Sequence, residues 1–138
     1  MNTKRPILLV EDDTVDQSTV KRALKEIKIT NDLFIANNGE EALLFLKNNP
    51  DNHPGIILLD LNMPRMNGIE FLKILKVDEL LKLIPVVVLT TSNEESDRLE
   101  SFKLSVAGYM TKPVDYVKFV EVVKTINWYW TLSQFPDE

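Results

Sequence analysis

Three short stretches of the chain are almost wholly apolar: Ile7-Leu8-Leu9-Val10, Ile56-Ile57-Leu58-Leu59 and Val86-Val87-Val88-Leu89. Runs of this length without polar alternation mark strands buried on both faces, as in a parallel sheet covered by helices. Two weaker runs, 32–36 and 107–111, complete a set of five strands with 6–10, 55–60 and 85–90. Between them the apolar spacing changes to that of helices. The segment 14–28 carries Val20, Ala23, Leu24 and Ile27 on one face, and Thr14 with Gln17 reads as a capping box at its start. The segment 39–47 carries Ala42, Leu43 and Leu46 and is stopped by Asn48-Asn49-Pro50; 67–81 carries Phe71, Leu72 and Leu75. Ser92 with Glu95 reads as a second capping box, opening a short helix with Leu99 and Phe102. Asp115 caps a last helix with Phe119, Val123, Ile126 and Trp130 at helical spacing.

Five strand-then-helix units in series predict a doubly wound α/β domain. The expected architecture is a flavodoxin-like (βα)5 fold with a five-stranded parallel sheet of order 2-1-3-4-5, whose ligands bind beyond the carboxyl ends of the strands. Residues 1–138 are expected to form one domain, with 127–138 as an aromatic C-terminal extension.

Composition narrows the function. At 138 residues and 44% hydrophobic, the chain has material for one core and none for a second domain. A net charge of −5 argues against nucleic acid and against an anionic membrane surface. No apolar run approaches the roughly 20 residues of a membrane span, and the polar, basic start of the chain has no signal-peptide character. Cysteine is absent, which excludes disulfides and thiolate metal sites. A cytoplasmic protein is expected.

The chemistry-bearing residues fall at the strand ends. The first strand runs into Glu11-Asp12-Asp13, the third into Asp60, the fourth into Thr90 and the fifth into Lys112. One edge of the sheet thus receives an acid cluster, a further acid, a hydroxyl and a cation. Carboxylates held this close repel, so without a cation at least one should take up a proton. Oxygen-only ligands suit Mg²⁺, which shares its sphere with water and phosphate oxygens. Asp13 is also explained as a helix N-terminal acid. A carboxylate beside Mg²⁺ can act as a nucleophile and become an aspartyl phosphate, and the Asn62 carbonyl lies two residues on to complete the metal sphere. Lys112, a compact point charge before Pro113, suits a phosphoryl oxygen or an ion pair with Asp60. Thr90 and Thr91 offer hydroxyls, and Tyr109 is placed to swing as the neighbouring loop moves. His53 lies in a turn-rich loop with no partner for catalysis.

These motifs, in this order and on these elements, make the chain resemble the receiver domain of bacterial two-component response regulators over nearly its whole length. The resemblance rests on residues 7–13, on 58–64 with Asn67-Gly68, on 88–92 and on 108–113. It implies that Asp60 is the phosphoacceptor, that Glu11 and Asp12 hold Mg²⁺ with Asp60 and the Asn62 carbonyl, that Thr90 and Tyr109 form a switch pair, and that Lys112 binds phosphate. A narrower likeness, carried by 85–92, by Lys112-Pro113-Val114-Asp115 and by Trp128-Tyr129-Trp130-Thr131-Leu132, is to small single-domain regulators paired with cyanobacterial phytochrome histidine kinases. It implies phosphotransfer from such a kinase and an output face built from the fourth and fifth helices and the fifth strand.

With no output domain, the signal would leave through a partner or a dimer. Successive helical residues point about 100° apart, so a last helix that buries Trp130 turns Trp128 outward, and a homodimer through that face is expected. The rivals are weaker. A haloacid-dehalogenase-type phosphatase wants a second acid where Asn62 stands. A flavodoxin wants a hydroxyl-rich phosphate loop where this chain has acids. A receiver fold that never carries phosphate, acting as an interaction module, would have no use for this constellation.

Overall fold

Leu8 of β1 (Ile7–Val10) faces Phe34 of β2 (Leu33–Ala36) on one side and Ile57 of β3 (Ile56–Leu59) on the other, both in parallel register. β3 continues into β4 (Val86–Thr90), and β4 into β5 (Gly108–Thr111), so the sheet order is β2-β1-β3-β4-β5. The computed structural model describes residues 5–112 and 115–132, with the backbone alone described at 122 and 126–132. Every residue of β1, β3 and β4 is buried, whereas the edge strands β2 and β5 are mostly half-exposed. This is the pattern expected of central parallel strands covered on both faces.

The helices are α1 (Thr14–Glu26), α2 (Gly39–Asn48), α3 (Gly68–Val77), α4 (Glu95–Lys103) and α5 (Tyr116–Leu132), with a single 3-10 turn at Leu81–Leu83. Two cores lie on opposite faces of the sheet. One gathers Ala42, Leu46, Phe71, Leu72 and Leu75 against Leu8, Val10, Ile57 and Val88. The other gathers Val20, Ala23, Leu24, Phe119, Val120 and Val123 against Ile7, Leu9, Leu58 and Leu89. Alternate residues of the same strand thus serve different cores, as a period of two requires.

The helix starts differ from the sequence expectations. Asp13, not Thr14, caps α1: its carboxylate accepts from the backbone N–H groups of Val15 and Asp16. The capping box of the fold lies at α3, where Asn67 and Glu70 accept reciprocally from each other's backbone. α4 has no box: Ser92 instead donates its hydroxyl to Asp97 at 2.6 Å, and the helix begins at Glu95. Leu99 and Phe102 do not enter the core; they are 54% and 50% exposed, and Ser101 is the buried residue of α4. The helix expected over 67–81 stops at Val77. There Asp78 adopts an extended backbone and its carboxylate accepts from the N–H groups of Leu80 and Leu81. Asp115 caps α5 as expected, accepting from Val117 and Lys118, and Phe119 and Val123 are buried. The expected placements of Ile126, Trp128 and Trp130, of the aromatic extension and of Pro113 lie outside the described residues.

Candidate functional site

The parallel sheet delivers the ends of β1, β3, β4 and β5 to one edge, and the backbone locks them there. Glu11 N–H donates to the Ala36 carbonyl at 2.9 Å, Asp60 N–H to Val10 at 2.9 Å and Lys112 N–H to Thr90 at 2.6 Å. Each bond extends a ladder one residue past its strand, so the functional side chains begin where regular pairing ends.

Glu11, Asp12 and Asp60 converge: each offers a carboxylate oxygen within 4.8 Å of the others. Glu11 and Asp60 are buried at 2% and 5% exposure, while Asp12 is exposed. Burial is the main force on Glu11 and, with the charge of Asp60 added, lifts its carboxyl from 4.5 to about 7; the hydrogen bond from Lys112 only partly offsets this. This is the crowding of acids expected from the sequence, and an all-oxygen, partly buried, repelling donor set fits a hard divalent cation. The edge is therefore a divalent cation site.

Lys112 is brought to this edge but does not pair with Asp60. Its ammonium donates to Glu11 and, at 2.7 Å, to Asp16 in the first turn of α1. Burial opposes the charge of Lys112, but the bonds to Asp16 and Glu11 and the field of Asp60 outweigh it and hold the ammonium above the ordinary lysine value. The partnership with Asp16 was not foreseen. Asp16 carries no motif, and only the chain's return over 96 residues makes it a neighbour of Lys112.

Thr90 is fully buried. Its oxygen accepts from Ser92 N–H at 3.2 Å and from the Asn62 amide at 3.5 Å, and the same amide donates to Thr91 at 2.9 Å. Asn62 thus spans from the end of β3 to the end of β4, with its own N–H donating to an Asp60 carboxylate oxygen at 3.3 Å. Tyr109 is half-buried against the α2–α3 core, and its hydroxyl donates to the Ser92 carbonyl at 3.0 Å. Its ring lies 6.5 Å from that of Phe102. The loop after β4 is therefore tied to Asn62 on one side and to β5 on the other. Two residues named in the sequence for other reasons, Gln17 as a cap and Gly68 in the Asn67-Gly68 motif, also shape the site. Gln17 donates to the Glu11 carbonyl at 2.6 Å and to Asn37 at 3.1 Å, bracing the ends of β1 and β2. Gly68 lets the start of α3 close on the backbone of Asp60 and Leu61.

Fold and edge together define a doubly wound α/β protein with an acidic, cation-binding site at the carboxyl ends of its strands. The chain belongs to the response regulator receiver domain family, whose profile matches residues 7–124. It is a phosphoacceptor of two-component signalling, phosphorylation by a kinase being the function of the family. It is 40% identical over 135 residues to the response regulator Rcp1 of Synechocystis sp., covering 94% of this chain and 90% of that one. Among solved structures it is similar to the phosphorylated cyanobacterial phytochrome response regulator RcpA, with a TM-score of 0.84 at 35% identity, covering 96% and 98% of the two chains. The Mn²⁺-bound form of Rcp1 gives 0.83 at 38% identity, covering 96% and 99%. Among the described residues no helix is long and apolar enough to cross a membrane.

Proposed function

We propose that Asp60 takes a phosphoryl group from the phosphohistidine of a phytochrome-type histidine kinase. The observation that carries this reading is the convergence of the Glu11, Asp12 and Asp60 carboxylates beside Thr90 and Lys112. An Asp60 oxygen attacks phosphorus, the P–N bond breaks, and the electron pair leaves on the imidazole nitrogen, which takes up a proton. Mg²⁺ held by Glu11, Asp12, Asp60 and the Asn62 carbonyl would supply the positive charge that lets a buried carboxylate accept a phosphoryl group. The phytochrome assignment is supported by the likeness to Rcp1 and RcpA along nearly the whole chain.

The product carries about −1.5 to −2 of charge and three acceptor oxygens where a single carboxylate stood. Thr90 is placed to bind one of them, because its oxygen accepts two bonds while its own proton has no acceptor among the described residues. Lys112 binds another. A shift from 1:99 to 99:1 needs about 5.5 kcal/mol, and two charge-assisted bonds at about 1.5–3 kcal/mol each come to that order. Motion of Thr90 and Ser92 then reaches Tyr109 through the Ser92 carbonyl, and the face formed by α4, β5 and α5 changes. Exposed Leu99 and Phe102 give that face apolar contact area.

On this reading the chain is a single receiver domain and a switch rather than a turnover enzyme. It acts in the cytoplasm, where ATP-dependent kinases work, and passes its signal through a homodimer or a partner protein, with no role in binding nucleic acid. The test is phosphotransfer from each purified histidine kinase of the source organism, with Mg²⁺ and with EDTA, to the protein and to Asp60→Asn. Labelling by a phytochrome-type kinase, dependent on Mg²⁺ and on Asp60, is expected. Preference for another kinase overturns the phytochrome partner, and no labelling even by acetyl phosphate overturns the switch. Turnover of p-nitrophenyl phosphate would make the protein an enzyme, and light scattering reads the dimer directly.

A further inference from the structure

The ammonium of Lys112 is shared by two anions of different character. Glu11 is almost wholly enclosed, with 3% of its side chain exposed, and belongs to the acidic trio around Asp60. Asp16 is 36% exposed, lies outside that trio and sits at the third position of α1. Among the described residues Lys112 is the one cation paired with Asp16, at 2.7 Å, and Lys112 makes no ion pair with Asp60. The lysine is thus bonded to Glu11 and to Asp16 of α1 and not to the acceptor carboxylate, whose field it still feels. The two pairs also differ in how easily they break. A carboxylate left behind in a buried site loses its partner and gains no water, whereas Asp16 can be solvated at once. A cation on the acidic trio would share the charge of Glu11, leaving Asp16 as the anion that holds the ammonium.

We propose that Asp16 is a latch on Lys112: a positioning residue that keeps the ammonium off the acceptor in the resting protein and must yield it when a phosphoryl group forms on Asp60. The inference rests on the reading of Asp60 and Lys112 given above. It adds a residue of α1 to the determinants of how tightly the phosphoryl group is held. The pair is partly exposed, so its opening costs little and the latch biases the switch without locking it. Asp16 also complements the α1 dipole, a structural role it shares with Asp13, the N-cap of the same helix.

The test is the affinity for beryllofluoride, an aspartyl-phosphate mimic, read by ¹⁹F NMR titration in Mg²⁺ for four proteins whose folding is checked by thermal melts. Asp16→Asn should bind about two- to fivefold more tightly than wild type, the range of a partly exposed ion pair. Asp16→Glu, which restores the anion, should return to wild-type affinity. Asp13→Asn removes the same charge nearby, keeps a capping side chain and touches no lysine, and it should stay at wild-type affinity. If Asp16→Asn binds no more tightly than wild type, or if Asp13→Asn tightens binding as much, the latch is overturned while the phosphoacceptor reading stands. If wild type binds no beryllofluoride and takes no label from acetyl phosphate, that reading falls and the latch falls with it.

Discussion

A Cβ placed on residue 68 would lie 2.5 Å from the carbonyl oxygen of Asp60, so Gly68 is what allows α3 to begin against the backbone of that residue. The same Cβ would meet Leu61 Cα at 2.7 Å, and Gly68 N–H donates to the Leu61 carbonyl at 3.0 Å. The obstacles are backbone atoms, so neither can rotate aside.

Gly68→Ala should therefore displace the end of β3. The expected loss is about 1–3 kcal/mol of stability, as for overpacking elsewhere, together with slower labelling by acetyl phosphate. Urea denaturation and a labelling time course measure both. A variant of wild-type stability and rate would show that the approach is relaxed in solution.

Glu11 makes the metal-free protein sensitive to pH. Its carboxyl is raised from 4.5 to about 7 in the fold, so its contribution favours the folded state fully below 4.5 and is lost as pH climbs through 7. The size of that gap corresponds to at most about 3 kcal/mol. In EDTA the melting temperature should fall between pH 5 and about 8, and Glu11→Gln should flatten the fall. Adding Mg²⁺ should raise stability most at the alkaline end, where the carboxylate is charged.

Asp60→Asn removes one member of the acidic trio and one cause of the raised Glu11 carboxyl. Labelling should vanish, Mg²⁺ affinity should fall, and the metal-free protein should be more stable than wild type at pH 8. Calorimetric titration with Mg²⁺ and a thermal melt in EDTA read the last two. Unchanged Mg²⁺ affinity would remove Asp60 from the cation site.

Tyr109→Phe deletes the bond to the Ser92 carbonyl and little else. It should cost about 0.5–1.5 kcal/mol of stability and leave the rate of labelling at Asp60 close to wild type. Binding of a downstream partner, or dimerisation, should lose part of its dependence on phosphorylation. Full retention of that dependence would take Tyr109 out of the switch.

The strands were legible because the signal was strong. Continuous apolar runs at 7–10, 56–59 and 86–89 have few other uses, and the sheet order followed from the alternation of strand and helix. The site was legible for the same reason, since Glu11, Asp60 and Lys112 each directly follow a strand and Thr90 ends one. The helix starts were less so. Asp13 and Thr14 are both good caps, and the path of the incoming chain decides between such neighbours, while α4 starts from Glu94 with no side-chain cap at all. Leu99 and Phe102 have helical spacing, but spacing says nothing of whether a neighbour covers the stripe. The partners of Lys112 were out of reach, because Glu11 and Asp16 meet it only through the tertiary return of β5 to β1's end.

α4 buries one side chain, that of a serine, and leaves its two large apolar residues in solvent. Burial of apolar area is what raises the free energy of local opening, so this helix belongs at the low end of the protein's stability spectrum. Amides of 95–103 should then exchange with deuterium by sub-global excursions, while those of α3, with Phe71, Leu72 and Leu75 enclosed, wait for global unfolding. A helix so lightly moored gives the fold a built-in soft mode, already sampled at rest and requiring no separate hinge.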